Sequence, residues 1–233
     1  MNVKTNQRKE VTTMCVICVS QKGIRQPNED EIRNMWVSNP HGAGYMYVRD
    51  GRVYIHKGFM ELKDFLRTVK SEGFTDDDVV VYHFRISTQA GVTPEMTHPF
   101  PLSPDLADMK ELDLACSVGI AHNGIIRLTS TKDAEYSDTA LFITEYLPAL
   151  IRDTADITDK RVKKTIKALA DSKLVLLNED GDVAIIGDFY ANRDGLMFSN
   201  QSFLPHRPAR DMQRTWNLGE LYGYRYKTAK AYR

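Results

Sequence analysis

Cys15 lies in the run Met14-Cys15-Val16-Ile17-Cys18-Val19 and is the first of a small set of residues that could do chemistry together. A free thiol has a pKa of about 8.5, so at neutral pH it needs a base or a nearby cation to act as a nucleophile. A chain beginning at this cysteine would carry the base on the same residue, because an α-amino group titrates near about 8. Three further segments hold residue types suited to such a nucleophile. His83-Phe84-Arg85-Ile86-Ser87-Thr88, followed by His98-Pro99-Phe100, offers a guanidinium for a carboxylate. Ala121-His122-Asn123-Gly124 offers an amide side chain and a glycine N–H, and Tyr136-Ser137-Asp138-Thr139 offers a carboxylate. Taken singly each is ordinary: Arg at a strand end is most often a surface ion pair, Asn-Gly a turn and Ser-Asp-Thr a helix cap.

The elements that must position these residues follow from the hydrophobic pattern. Residues 14–20 read as a buried strand, in which Cys15 and Cys18 point to opposite faces, so the C-x-x-C spacing does not favour a dithiol or metal pair and Cys18 reads as a core thiol. Asn28–Val37 reads as a helix with Ile32, Met35 and Trp36 on one side, and Glu61–Glu72 as another with Leu62, Phe65 and Val69 on one face. Asp50-Gly51 and Asp180-Gly181 each sit between short strand-like runs, a hairpin signal. Val79–Phe84 and Cys116–Ala121 are expected strands, and Ser137–Ile151 and Asp159–Ala170 expected helices, the former capped by Ser137. The Pro-, Thr- and Gly-rich stretch from Arg85 to Asp113 shows no periodicity, and loops of that length are usually functional or disordered. Hairpins with helices grouped between them imply an α+β protein with antiparallel sheets covered by helices.

Bulk properties narrow the classes. Acidic and basic residues balance at 31 each, which argues against an overall footprint for nucleic acid or anionic membrane. No apolar run approaches the roughly 20 residues that span a bilayer, and the polar segment before Met14 lacks a secretion signal's apolar stretch. The three cysteines, 15, 18 and 116, form no disulfide framework. A cytoplasmic protein without metal or cofactor is expected.

In this order the four segments resemble the class II glutamine amidotransferase domain of the N-terminal-nucleophile (Ntn) hydrolases, in a standalone form of the kind found among bacterial and phage proteins. The family begins with Cys and carries H-x-R-x-[SA]-T, a following H-P or Q-P, then H-N-G, then S-D-T or a variant. The likeness covers roughly residues 14–200. It implies a four-layer αββα sandwich of two mainly antiparallel sheets. It also implies roles: Cys15 attacks the side-chain amide of L-glutamine and forms a γ-glutamyl thioester, with its own α-amino group as base and acid. Asn123 and the Gly124 N–H would hold the oxyanion. Arg85 would clamp the α-carboxylate, Asp138 the α-ammonium group, and Thr88 would add a contact in a loop that closes over the substrate, hinged near Gly91. His98 and His122 read as structural, and Asn39-Pro40-His41-Gly42-Ala43-Gly44 as scaffolding.

The chain departs from the family in three places. It contains no acceptor domain and no phosphate-binding glycine motif, so ammonia would pass to a separate synthase or ligase or be released. Residues 1–14 would be a propeptide or a misplaced start, the domain would occupy 15–200, and 201–233 would form a tail. That tail carries seven basic residues against two acidic ones, with Tyr222, Tyr224 and Tyr226 in alternation. It suits either an acidic partner or packing on its own domain. An amidohydrolase for another γ-glutamyl amide, or a silent protein that keeps the fold, are the competing readings.

Overall fold

The computed structural model describes residues 14–87, 91–128 and 136–205. The 14–20 run forms β1 (Val16–Ser20), buried along its whole length. The first helix, α1 (Glu29–Ser38), starts at Asn28, whose side chain accepts from the Glu31 N–H while Glu31 reaches back to the Asn28 N–H. This capping box satisfies two otherwise orphaned helix donors. The hairpin β2 (Ala43–Arg49) and β3 (Arg52–Phe59) turns at Asp50-Gly51, both with positive φ. Next come α2 (Leu62–Glu72) and β4 (Val80–Phe84). The Arg85–Asp113 stretch contains β5 (Phe100–Pro101) and short helical turns at Pro94–Met96 and Ala107–Lys110.

The expected single strand Cys116–Ala121 is two. β6 (Asp113–Cys116) sets Cys116 against Val53 in one sheet, and β7 (Val118–Asn123) sets Val118 against Asn178 in the other. The chain changes sheets at Ser117, whose carbonyl accepts from the Glu179 N–H. Apolar alternation runs straight through the crossing, so the sequence pattern does not mark it. The chain continues through α3 (Asp138–Leu150), α4 (Lys160–Ala170), the hairpin β8 (Lys173–Asn178) and β9 (Val183–Ile186), and two short strands the pattern does not announce, β10 (Tyr190–Ala191) and β11 (Met197–Phe198).

Two antiparallel sheets result. One has the order β10-β11-β1-β4-β2-β3-β6 and the other β5-β7-β8-β9. Three apolar clusters organise them. Val16, Cys18, Tyr45 and Tyr82 of the larger sheet pack with Ile32, Met35 and Phe65 of α1 and α2. Ile17, Val19, Met46 and Val81 meet Ala121, Val175 and Leu177 of the smaller sheet. Ile120, Leu174 and Leu176, on that sheet's opposite face, pack with Phe142, Ile143, Leu147 and Ile166 of α3 and α4. The described residues are α+β, with four α-helices and two antiparallel sheets, an arrangement compatible with the expected sandwich.

Packing runs past residue 200. Phe203 is buried against Phe198, and its carbonyl accepts from Asn34 Nδ2, so the expected tail boundary falls inside the folded unit. Residues 1–13, and the tail from residue 206, lie outside the described residues. Among the described residues, no helix is long and apolar enough to cross a membrane.

Candidate active site

Register brings the first two segments together. β1 and β4 pair Ile17 with His83 and Val16 with Phe84, so the next pair along sets Cys15 against Arg85. The Cys15 thiol is half-buried and accepts from the Ile86 N–H at 3.4 Å. Burial raises its pKa, while the Ile86 N–H and the Arg85 guanidinium pull it down and the Asp138 carboxylate pushes it up. Thiol, guanidinium and carboxylate therefore share one electrostatic neighbourhood, although they come from β1, β4 and α3.

Arg85 is held by the segment read as scaffolding. Its N–H donates to Gly42 O, its carbonyl accepts from the His41 N–H, and His41 Nδ1 accepts from the Ser87 N–H at 2.9 Å. The guanidinium is buried. Nη2 donates to Gly91 O at 3.2 Å, and Nη1 has no partner among the described residues. Gly44 has a separate reason to be glycine, since a Cβ there would lie 2.3 Å from His98 O, and its absence lets the His98 segment sit against β2.

Asn123 reaches the site through Ser199. The Ser199 hydroxyl oxygen accepts from the Ile17 N–H at 2.9 Å and from Asn123 Nδ2 at 2.8 Å, tying the end of β7 to β1. Asn200 Nδ2 in turn donates to the carbonyls of Met14 and Cys15, at 3.2 and 2.7 Å. Ser199 and Asn200 were not among the residues expected from the sequence, because β11 is too short to show a pattern. Asn123 Oδ1 is buried without a donor among the described residues. The amide's oxygen and nitrogen are near-isosteric, and the reversed orientation would give the Ser199 hydroxyl an acceptor and aim Nδ2 where Oδ1 stands.

Asp138 begins α3, one residue after the Ser137 cap, whose hydroxyl accepts from the Ala140 N–H at 3.1 Å. Its carboxylate accepts from the Ile126 N–H at 2.6 Å and from the Thr139 N–H at 2.7 Å. This places a fixed negative charge at the end of β7, near Gly124.

Three histidines crowd between these groups. His83 and His98 lie 4.4 Å apart between ring centres, and His98 and His122 lie 6.2 Å apart. Burial lowers the pKa of His83 to about 3 and of His122 to about 4, and holds His98 well below the usual imidazole range. His83 Nε2 donates to His122 O at 2.9 Å, but its Nδ1 and both nitrogens of His98 are buried without partners among the described residues.

The Arg85–Asp113 stretch is not a free loop from Pro94 onward. Buried Lys57 donates to Glu95 O at 2.9 Å and Met109 O at 2.6 Å, and its Nζ sits 3.9 Å above the Phe100 ring. Burial lowers its pKa to about 7, against the opposing pull of Glu95 and Glu111. A cavity of about 360 Å³ opens here, between Gly91, Glu95, Phe100, Met109 and Ser137. It therefore adjoins both Gly91, the partner of Arg85, and Ser137, the neighbour of Asp138.

Of the six expected site residues, Cys15, Arg85 and Asp138 share one field, and Asn123 and Gly124 join them through Ser199 and the end of β7. Thr88 lies outside the described residues. Among the described residues, no cluster of His, Cys, Asp and Glu could hold a metal ion. Compared with models of known protein families and with curated protein sequences, the chain matches none.

Proposed function

We propose that this chain is a glutamine amidotransferase module of the class II, Ntn-hydrolase type, a four-layer αββα protein that hydrolyses L-glutamine to glutamate and ammonia. The observation that carries this reading is the placement of unpaired buried polar atoms. Of six such atoms among the described residues, five belong to His83, Arg85, His98 and Asn123, a set whose Arg85 guanidinium acts on the Cys15 thiol. Each buried group left without a partner costs about 1–3 kcal/mol, so their concentration beside a thiol favours a site shaped for a polar ligand.

In a chain that starts at Cys15, the α-amine takes the thiol proton and the thiolate attacks the side-chain amide carbon, Cδ, of glutamine. The oxyanion meets Nδ2 of Asn123 and the Gly124 N–H. Collapse breaks the C–N bond, and the ammonium group returns its proton to the departing ammonia. Water, deprotonated by the same amine, then hydrolyses the thioester to glutamate and restores the thiol. Arg85 matches the α-carboxylate through a two-pronged pair, and Asp138 the α-ammonium group. With Met14 attached, the Cys15 nitrogen is an amide and cannot serve as base, and the buried thiol stays protonated. This favours the silent reading for the uncut chain. Ammonia would go to a separate acceptor enzyme in the cytoplasm.

The test compares glutamine hydrolysis by the full chain and by a chain starting at Met14, whose methionine is removable. Activity only where Cys15 is N-terminal supports the proposal. Inactivity of both, or preference for another γ-glutamyl amide, redirects it.

A further inference from the structure

Ser172, His122 and Thr139 connect two parts of the site that the mechanism treats separately. His122 Nε2 lies 2.6 Å from Ser172 Oγ, and Nδ1 lies 2.7 Å from Thr139 Oγ1. Ser172 Oγ also donates to Asn123 O at 3.2 Å. At the other end, Thr139 donates its N–H to Asp138 Oδ1 at 2.7 Å. The chain thus runs from the carbonyl of Asn123 to the carboxylate of Asp138.

We propose that Ser172, His122 and Thr139 are positioning residues that orient the Asn123–Gly124 peptide for oxyanion binding and tie it to the Asp138 carboxylate. The proposal rests on the hydrolytic reading above. Its physical basis is the planarity of the peptide. In a trans peptide, C=O and N–H point to opposite sides, so holding the Asn123 carbonyl toward Ser172 turns the Gly124 N–H away from it. Among the described residues, nothing accepts from that N–H.

The hydrogens can be counted in two directions; one sends the Ser172 hydroxyl hydrogen to His122 Nε2 and the Thr139 hydroxyl hydrogen to Asp138 Oδ1, and the proposal takes the other, which holds Asn123 O. The single Ser172 hydroxyl hydrogen goes to Asn123 O, so toward His122 the Ser172 oxygen accepts and Nε2 carries the hydrogen. Nδ1 then accepts from the Thr139 hydroxyl, which lies closer to it, at 2.7 Å, than to Asp138 Oδ1, at 3.3 Å. Every hydrogen is used once, with His122 neutral. Burial holds it so at neutral pH, against the Asp138 carboxylate, which favours the charged form.

The same chain explains Gly124. Its φ is +148°, and a Cβ there would lie 2.1 Å from Ser172 Oγ. Ser172 occupies the space that a side chain at position 124 would need, so the glycine and the serine are one device. His122, read from the sequence as structural, acquires a specific task, and Ser172 carries no sequence signal at all, being one small polar residue in the turn between α4 and β8.

The experiment uses Ser172→Ala, Thr139→Val and Thr139→Ser in whichever preparation hydrolyses glutamine. Ser172→Ala should lower kcat on the order of tenfold to a hundredfold, as for weakening one oxyanion donor, with KM within about twofold. Alkylation of Cys15 by iodoacetamide, which builds no oxyanion, should keep its rate. Thr139→Val should show the same pattern more weakly, and Thr139→Ser should restore it. Unchanged kcat in Ser172→Ala, or a loss confined to KM or shared with alkylation, overturns the proposal. A second readout needs no activity: in amide and imidazole ¹⁵N spectra of the full chain, His122 should be the neutral Nε2–H tautomer at pH 7, and Ser172→Ala should move the Gly124 amide resonance. A protonated or Nδ1–H His122, or an unmoved Gly124 amide, overturns the relay even if glutamine is not the substrate. Loss of glutamine hydrolysis by the wild-type protein with both spectral signs present would sink the hydrolytic reading alone.

Discussion

The layer between the two sheets has two unlike ends. At one, Val19, Met46, Val53, Ile55, Val81, Val175 and Leu177 pack as an apolar core. At the other lie Cys15, His83, Arg85 and Asn123, of which His83 Nδ1, Arg85 Nη1 and Asn123 Oδ1 have no partner among the described residues. β1 passes from Val19 through Ile17 to Cys15, β4 from Val81 through His83 to Arg85, and β7 from Ala121 to Asn123, two residues per step on one face. The apolar end supplies stability and holds the strands rigid. On the proposed reading, the polar end spends some of that stability on groups that would meet a ligand.

Substitutions at the two ends should therefore move different observables. Cys15→Ala should abolish glutamine hydrolysis, by about a thousandfold or more, while the thermal midpoint stays within a few degrees in a melting experiment. A large loss of stability would merge the two ends. Arg85→Gln should raise KM for glutamine by about a hundredfold through loss of the two-pronged pair, with a smaller change in kcat, measured by steady-state kinetics. At the apolar end, Leu177→Ala should cost about 2–5 kcal/mol in denaturant unfolding and leave the rate of Cys15 alkylation unchanged. If it instead alters thiol reactivity, the layer acts as one unit.

The smallest effect concerns pH. His83 and His122 protonate near 3 and 4 in the fold but near 6.5 when unfolded, so their neutral forms favour the folded state above pH 6.5. That contribution is lost as pH falls from 6.5 toward 3, because the unfolded chain binds the protons first. His98, buried with both nitrogens unpartnered, adds to the same limb. His98→Phe should therefore flatten the fall in thermal midpoint between pH 6.5 and 4.5. An equally steep fall would place the acid sensitivity elsewhere.

Much of this contrast was legible in the chain. Continuous apolar runs mark β1 and β4, the Asp-Gly turns mark both hairpins, the one-sided apolar spacing marks α1 and the Ser137 cap marks α3, since these signals are local. The C-x-x-C geometry also held: Cys18 packs with Val16 toward the helices, while Cys15 lies on the other side of the strand. What escaped was non-local. The sheet change at Ser117 leaves the alternation intact, and Ser199, Asn200 and Ser172 are small polar residues whose partners lie between about fifty and nearly two hundred positions away. Only the fold, not their spacing, brings them to Asn123 and Cys15.

The most direct test of the central claim is labelling by a glutamine-mimicking electrophile, 6-diazo-5-oxo-L-norleucine, read by peptide mass spectrometry on the chain starting at Met14. Burial raises the Cys116 thiol to about 12 and holds the Cys18 thiol well above its ordinary value, so neither should compete. One adduct is expected, on Cys15, prevented by excess glutamine and absent in Arg85→Gln. Labelling spread over Cys15, Cys18 and Cys116, or labelling of Cys15 that glutamine does not prevent, would contradict it.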